Sequence, residues 1–408
     1  MKSEKLFICV LIALFMIIPS PLLAQGGKIT LGNLKVIPGI TGQTIYDDNI
    51  YMKNGTTTGK NDPSTKISDW IYHVQPALLL NYTFPERGFL NLGYQGDWAF
   101  YNENSRNNWK NNKGSLALDY KAPGGLILGI NNLYAASEDP LGSPDQYAIG
   151  RTTSRWDNDL KTKFGFLFSE KFRSLLYYNN YKQEYKDQSD AGQNYNDNEF
   201  GIGLEAKFLP KTWGFLRYHY GKRDFDAASV TSAYKANSNW HKTSAGLTWD
   251  AAAKLSGELN VGYMWKSYDN EYYTATLKRK KSIDTWVAAT SISYKPIETT
   301  NLSLNIARTI RDTGADTGEY FEDTGYGLSL QQTILRKLVF NLGGMYSINE
   351  YNTNGRQDTN YSANTGLDYK IQDWVTVGVG YNYKKKDSNF KVNEYTDNQF
   401  IASLKLVY

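Results

Sequence analysis

The sequence predicts an all-β chain, a transmembrane antiparallel up-and-down β-barrel of eighteen strands, with sixteen as the fallback count. Three observations carry this: a two-residue period of apolar side chains, an alternation of short and long polar connections, and aromatic residues recurring at two levels along the strands. The period is plainest at the C-terminus. Tyr408, Leu406, Leu404, Ala402 and Phe400 form one row, and Val407, Lys405, Ser403 and Ile401 form the other. Successive side chains of a strand point to opposite faces, so a greasy row beside a more polar one suits a wall with hydrocarbon outside and water inside. Alone, such a row also fits a buried edge strand of a soluble sandwich.

The earlier strands are delimited by their connections. Short ones fall at 85–88, 122–125, 169–171, 209–211, 251–254, 296–299, 335–337 and 372–373. Between them lie stretches rich in Asn, Asp, Gly, Ser, Thr and Lys, at 47–67, 102–107, 136–152, 187–194, 225–238, 269–281, 312–319, 352–358 and 387–392. Eight short and nine long connections join eighteen strands and leave both termini on the short-turn side, which in bacterial barrels is the periplasm. Within the strands, Leu116, Leu118 and Tyr120 alternate with Ala117, Asp119 and Lys121, and Phe164, Phe166 and Phe168 with Lys163, Gly165 and Leu167. Phe200, Ile202, Leu204, Ala206 and Phe208 likewise oppose Gly201, Gly203, Glu205 and Lys207. Only 172–181 is ambiguous in phase, since both its rows carry Leu and Tyr.

The aromatics separate a membrane wall from a soluble sandwich. On the apolar row, just before a short turn, stand Tyr82, Tyr120, Phe168, Phe208, Trp249, Tyr294, Tyr369 and Tyr408, with Ile334 the one exception. A second belt comprises Trp98, Tyr134, Tyr218, Trp265, Trp286, Tyr346, Tyr361 and Tyr381. Amphipathic rings gather at both membrane–water boundaries, and about 9–11 strand residues cross the hydrocarbon. A sandwich has no use for two such belts.

Composition agrees. Residues 1–24 read as a secretory signal peptide, with Lys2 and Lys5 before the apolar run Leu6 to Ile18 and small-residue cleavage before Gln25. That run is short of the roughly 20 apolar residues of an anchoring helix. Residues 25–408 then form one domain, the barrel, and contain no stretch of about 18 apolar residues. Cys9, the single cysteine, lies in the leader, so disulfides and a thiol nucleophile are excluded. There are 32 Tyr and 35 Gly against 11 Pro, a bias that suits long strands with interfacial belts. Removing Lys2, Lys5 and Glu4 takes the net charge from +4 to about +3, too little to indicate a nucleic-acid partner.

Catalytic constellations are thin. His73, His219 and His241 are the only histidines; none has a ligand-spaced partner, and His219 beside Arg217 is explained by a polar lumen without a hydrolase site. No enzyme, cofactor or metal is therefore expected. Asp312, Asp316, Glu319 and Asp323 with Gly314 and Gly318 could offer carboxylates to calcium, but without EF-hand spacing they read as a solvated loop. Lys278 to Lys281 reads as a hydrated charge run or a contact for lipopolysaccharide phosphates. The weight falls on the inward rows, whose candidate lumen-lining residues include Lys161, Lys163, Glu205, Lys207, Arg217, Lys242, Glu258, Lys266, Asp368 and Lys384. Such charges either bias a water-filled passage toward anions or brace one another. The connections 47–67 and 137–150 are long enough to fold inward and narrow it.

Val36-Ile37-Pro38-Gly39-Ile40 leads to Tyr46-Asp47-Asp48-Asn49-Ile50, an early strand reads Val74-Gln75-Pro76-Ala77-Leu78, and Gly-Tyr pairs recur at Gly93-Tyr94, Gly262-Tyr263 and Gly380-Tyr381. In these residues the chain resembles the putative beta-barrel porin 2 family of Gram-negative outer-membrane proteins. The ending Phe400, Leu404, Leu406 and Tyr408 resembles the terminal signal that outer-membrane barrels present to the assembly machinery. The resemblance implies an outer-membrane porin associated with exopolysaccharide export, served by a periplasmic export protein, with lipids and lipopolysaccharide as surroundings. Small-solute diffusion, or a barrel that binds surface glycans, are the alternatives.

Overall fold

The two-residue period resolves into eighteen long strands and one short one, in a computed structural model that describes residues 29–55, 65–139, 152–188, 190–226, 237–249, 254–269, 280–312, 320–352 and 355–408. The short strand is β1 (Ile29–Leu31). The wall begins with β2 (Leu34–Asp47), β3 (Asp69–Phe84), β4 (Gly88–Tyr101), β5 (Trp109–Lys121), β6 (Leu126–Asp139) and β7 (Thr153–Ser169). It continues through β8 (Phe172–Tyr185), β9 (Tyr195–Leu209), β10 (Thr212–Phe225), β11 (Ser238–Trp249), β12 (Leu255–Tyr268) and β13 (Ser282–Tyr294). It ends with β14 (Thr300–Asp312), β15 (Tyr320–Ile334), β16 (Leu338–Tyr351), β17 (Gln357–Gln372), β18 (Val375–Ser388) and β19 (Tyr395–Val407). The count of eighteen wall strands therefore stands over sixteen. The leader at 1–24, most of the turn 251–254, most of 137–150, and Lys278, Arg279, Asp316 and Glu319 lie outside the described residues.

Each wall strand pairs antiparallel with its neighbours in sequence, and β19 returns to β2 from Gln399↔Asp47 to Val407↔Gly39. Closure is what allows strands in lipid, where an unpaired backbone group finds no water. Both ends of the wall sit at the short-turn rim, Leu34 beside Tyr82 and Tyr408 donating its N–H to Pro38 O at 3.0 Å. The short turns need unusual backbone. Leu335 and Arg336 take φ of 51° and 63°, and Gly88 takes 140°, where a Cβ would lie 1.8 Å from Asp119 O.

The two faces separate as the alternation requires. Phe200, Ile202 and Leu204 on β9 are 50–61% exposed, whereas Glu205 beside them is 3% exposed. Phe172 and Leu176 are exposed and Leu175 is buried, so the even row of β8 faces out and Tyr177 and Asn179 face in. The short-turn belt residues Tyr82, Phe168, Phe208, Tyr294, Tyr369 and Tyr408 are all exposed on the outer surface, with Tyr120 and Trp249 half-buried. In water such a surface would be a large apolar liability; in a bilayer it is solvated.

Leu204→Arg, on the outward row of β9, should lower the unfolding free energy in phospholipid vesicles by about 2–4 kcal/mol. Gln75→Arg, on the inward row of β3, should change it by less than about 1 kcal/mol, both read by urea titration in those vesicles.

Candidate functional site

The inner face between β6 and β14 bounds a cavity of about 450 Å³. Its wall carries Lys161, Lys163, Arg217, Lys242 and Arg308 against two carboxylates, Glu199 and Glu258. Small residues make this dense array fit. A Cβ on Gly201 would lie 2.5 Å from the His219 ring, so glycine there lets the imidazole lie flat across β9.

These charges are arranged in chains that run from strand to strand. Arg173 Nε donates to Glu205 Oε2 at 2.8 Å, Arg217 Nη2 to Glu205 Oε1 at 3.0 Å, and Arg217 Nη1 to Glu258 Oε1 at 2.8 Å. The Arg217 guanidinium also sits 3.7 Å from the centre of the Phe215 ring. A second chain gathers on Glu199, which accepts from Lys242 Nζ at 3.0 Å and Trp240 Nε1 at 2.9 Å. Lys163 pairs with Asp119 at 2.7 Å and Lys161 with Asp159 at 2.8 Å. Burial divides them: the Arg217 side chain is 12% exposed, whereas that of Lys161 is 60% exposed. The buried guanidiniums are held by paired carboxylates and cannot turn toward a solute without leaving those unpaired. Lys161 and Lys163 are the more open lysines, the latter with its side chain 37% exposed, while Lys242 is half-buried.

Above this wall the sheet overlaps itself. The β13–β14 ladder covers only Ala288↔Arg308 to Tyr294↔Leu302, although β12 pairs with β13 up to Ser267↔Ser282 and β14 with β15 up to Asp312↔Tyr320. Beyond the break, the edge of β14 passes across the inner faces of β13 and β12. Asp312 shows this. It stands four strand steps from Arg223 on β10, roughly 19 Å along a wall of ordinary spacing, yet Arg223 Nη1 donates to Asp312 Oδ2 at 2.7 Å. Lys266 Nζ shares that oxygen at 2.7 Å, and Tyr268 Oη donates to Oδ1 at 2.8 Å.

The row involved is the one that meets lipid lower down. Leu328 on β15 is 61% exposed, while Tyr320, eight residues earlier on the same row, is 2% exposed. Ile310 and Tyr320 pack against Met264, Tyr268, Ile283 and Val287 of the inner wall, with the Tyr268 and Tyr320 rings stacked at 5.6 Å. Arg308 bridges the break, its guanidinium 4.8 Å from the centre of the outer Trp286 ring and its Nη2 on Thr285 Oγ1 at 3.2 Å and on Glu322. The solvated loop expected to start at Asp312 is thus corrected: Asp312 ends a strand and is buried in an ion cluster, because the overlap removes it from water.

A second element narrows the passage from the opposite side. Ile50, beyond the end of β2, is buried against Ile71, Ala99 and Trp109 on inward rows. Asn49 Nδ2 donates to Lys53 O and Thr396 O, both at 2.8 Å, and Asn107 Nδ2 to Tyr51 Oη at 2.9 Å. The described parts of the 47–67 connection therefore lie over the inner face of β2–β5.

A family model described as "Putative beta-barrel porin 2" matches residues 21–408. The chain belongs to that family. It is a β-barrel porin of the bacterial outer membrane, and the family points to a channel. Among solved structures the porin is similar to Pseudomonas aeruginosa OpdK with vanillate, at 10% identity and a TM-score of 0.46, covering 91% of this chain and 99% of that one. It is also similar to Pseudomonas aeruginosa OpdO, at 11% and 0.45 over 91% and 96%. A third is the Neisseria meningitidis iron transporter FrpB, at 10% and 0.42 over 86% and 62%. No curated protein matches.

Of the charged residues singled out in the sequence, Lys161, Lys163, Arg217, Lys242 and Glu258 border the porin's cavity. Glu205 and Lys266 are nearly fully buried as ion-pair partners, and Lys207 lies 5.7 Å from the Trp213 ring centre. Asp368 accepts from Asn341 Nδ2 at 2.9 Å, and Lys384 stands 3.4 Å from Asp397. Sequence reasoning passed over Arg173, Asp197, Glu199, Arg223 and Arg308. For the first four the alternating position was the available signal, and for Arg308 it was a charge on an otherwise apolar row; their partners, up to 89 residues away, gave none.

Asp312→Ala leaves Arg223 paired with Asp197 alone and takes the carboxylate partner from Lys266, and breaking a buried pair costs about 3–5 kcal/mol. The overlapped edge should undock, raising single-channel conductance in planar bilayers, whereas Lys222→Ala, at an exposed pair, should leave conductance unchanged.

Proposed function

We propose that this porin is a diffusion channel for small hydrophilic solutes with a preference for anions. The observation that supports it is the cavity wall, with five cations and two carboxylates. Charged walls of one sign raise the local concentration of the opposite ion. Lys161 and Lys163 are the groups that meet the solute. Each is paired at a partly exposed carboxylate, an interaction worth about 0–1 kcal/mol, so a passing anion can displace Asp159 or Asp119 at little cost. Weak, exchangeable contacts speed transit, while a tight site would hold the solute.

Narrowing from two sides supports small solutes over a polymer. A polysaccharide passing lengthwise would need the β14–β15 edge and the Ile50 segment to withdraw, both of which are pinned by buried contacts. On this reading the short-turn rim, where both wall termini lie, faces the periplasm. There the exposed ending Phe400, Leu404 and Tyr408, with Leu406, would be read by the assembly machinery, while lipids cover the belts.

In planar bilayers under a KCl gradient, the wild-type protein should give a reversal potential of anion-selective sign. The double substitution Lys161→Glu and Lys163→Glu should move it to the cation-selective side. A wild-type channel that prefers cations, or a double variant with unaltered selectivity, would sink the reading. Liposome swelling should be rapid with monosaccharides and amino acids and absent with a long neutral dextran.

A further inference from the structure

We propose a calcium site at the seam where the last strand closes on the first, formed by Asp47, Asp48 and Asp397. Each of the three offers one carboxylate oxygen, and these oxygens lie within 4.8 Å of one another. Two oxygens on opposite sides of a calcium ion at the usual 2.3–2.6 Å stand about that far apart.

The carboxylates are held in place by their own donors. Asp47 Oδ1 accepts from Asn49 N–H and Oδ2 from Gln399 Nε2, both at 2.8 Å. Asp48 Oδ1 accepts from Asn398 N–H at 2.8 Å and Oδ2 from Asn398 Nδ2 at 2.6 Å. Asp397 differs. Its side chain is 1% exposed, its Oδ2 has Lys384 Nζ only at 3.4 Å, and its Oδ1 is buried without a hydrogen-bond partner among the described residues. An orphaned, buried carboxylate oxygen beside two further carboxylates is a costly arrangement unless a cation completes it. A lysine already approaches from one side; the open oxygen and the neighbouring acids leave the other side for an ion with oxygen affinity. Magnesium fits less well, since it prefers 2.0–2.1 Å bonds in a strict octahedron.

The position gives the ion a task. Gln399↔Asp47 is the last pair of the closing ladder at the long-connection rim, and Asp397 lies two residues beyond it. The same strand end holds the Ile50 segment, since Thr396 O accepts from Asn49 Nδ2 and from Lys66 Nζ, both at 2.8 Å. Calcium there would fasten the end of the seam together with the segment that narrows the lumen.

The full chain refolded in detergent micelles tests this by isothermal titration with calcium chloride and by thermal unfolding with calcium or with EGTA. One calcium per chain should bind, and calcium should raise the melting temperature. Asp397→Asn should weaken binding at least tenfold and abolish the calcium-dependent rise, while in EGTA it melts no lower than the wild type. Asp368→Asn, on the inner wall, should keep the full response. Terbium emission sensitised by the protein's own aromatics and displaced by calcium gives a second readout on the unaltered chain. A wild type that neither binds calcium nor sensitises terbium, or an Asp397→Asn variant that responds as the wild type does, overturns the proposal; the former result would mean that a shared proton neutralises the carboxylates.

Discussion

Backbone hydrogen bonding in a medium without water is the constraint on which the rest depends. Each strand must find a partner on both sides, so β19 has to come back to β2, and the chain has to supply an even set of strands that closes. From closure follow the outward apolar row, the aromatic belts and a polar interior. The apolar residues of the outward rows do not form a packed core; many are exposed, and the bilayer supplies the environment that a core supplies in a soluble domain.

Where the ladder opens, between β13 and β14, another interaction takes its place. The free edge of β14 is covered because it lies across the inner wall, and its former lipid row is buried with Met264, Ile283 and Val287. Exposed strand edges are sticky, and folding one into the lumen protects it. The charges of Asp312, Arg223, Lys266 and Asp197 neutralise one another there, which a dry interface demands. One rearrangement thus protects an edge and narrows the passage.

The same electrostatic rule sorts the lumen. Arginines that lie flat on the wall, such as Arg217, are held by carboxylates and an aromatic face and serve as bracing. Lysines with solvated ends hold a single weak partner and stay available to a solute. A tally of inward cations merges these two populations; burial separates them.

Strand number, turn positions and the outward rows were legible in the sequence because they are local. A period of two needs only neighbouring residues, and a bilayer imposes the same requirement on every strand, so Phe164 to Phe168 and Phe200 to Phe208 announce their faces unaided. What only the tertiary structure decided is non-local. Ile310 and Asp312 continue the row of Leu302, Leu304 and Ile306, and although Arg308 and Asp312 put charges on that row, nothing near them in the chain shows where it goes when it leaves the lipid. That outcome depends on Arg223, Lys266 and Tyr268, which arrive from strands two and four steps away, and contacts between distant segments leave no periodic trace.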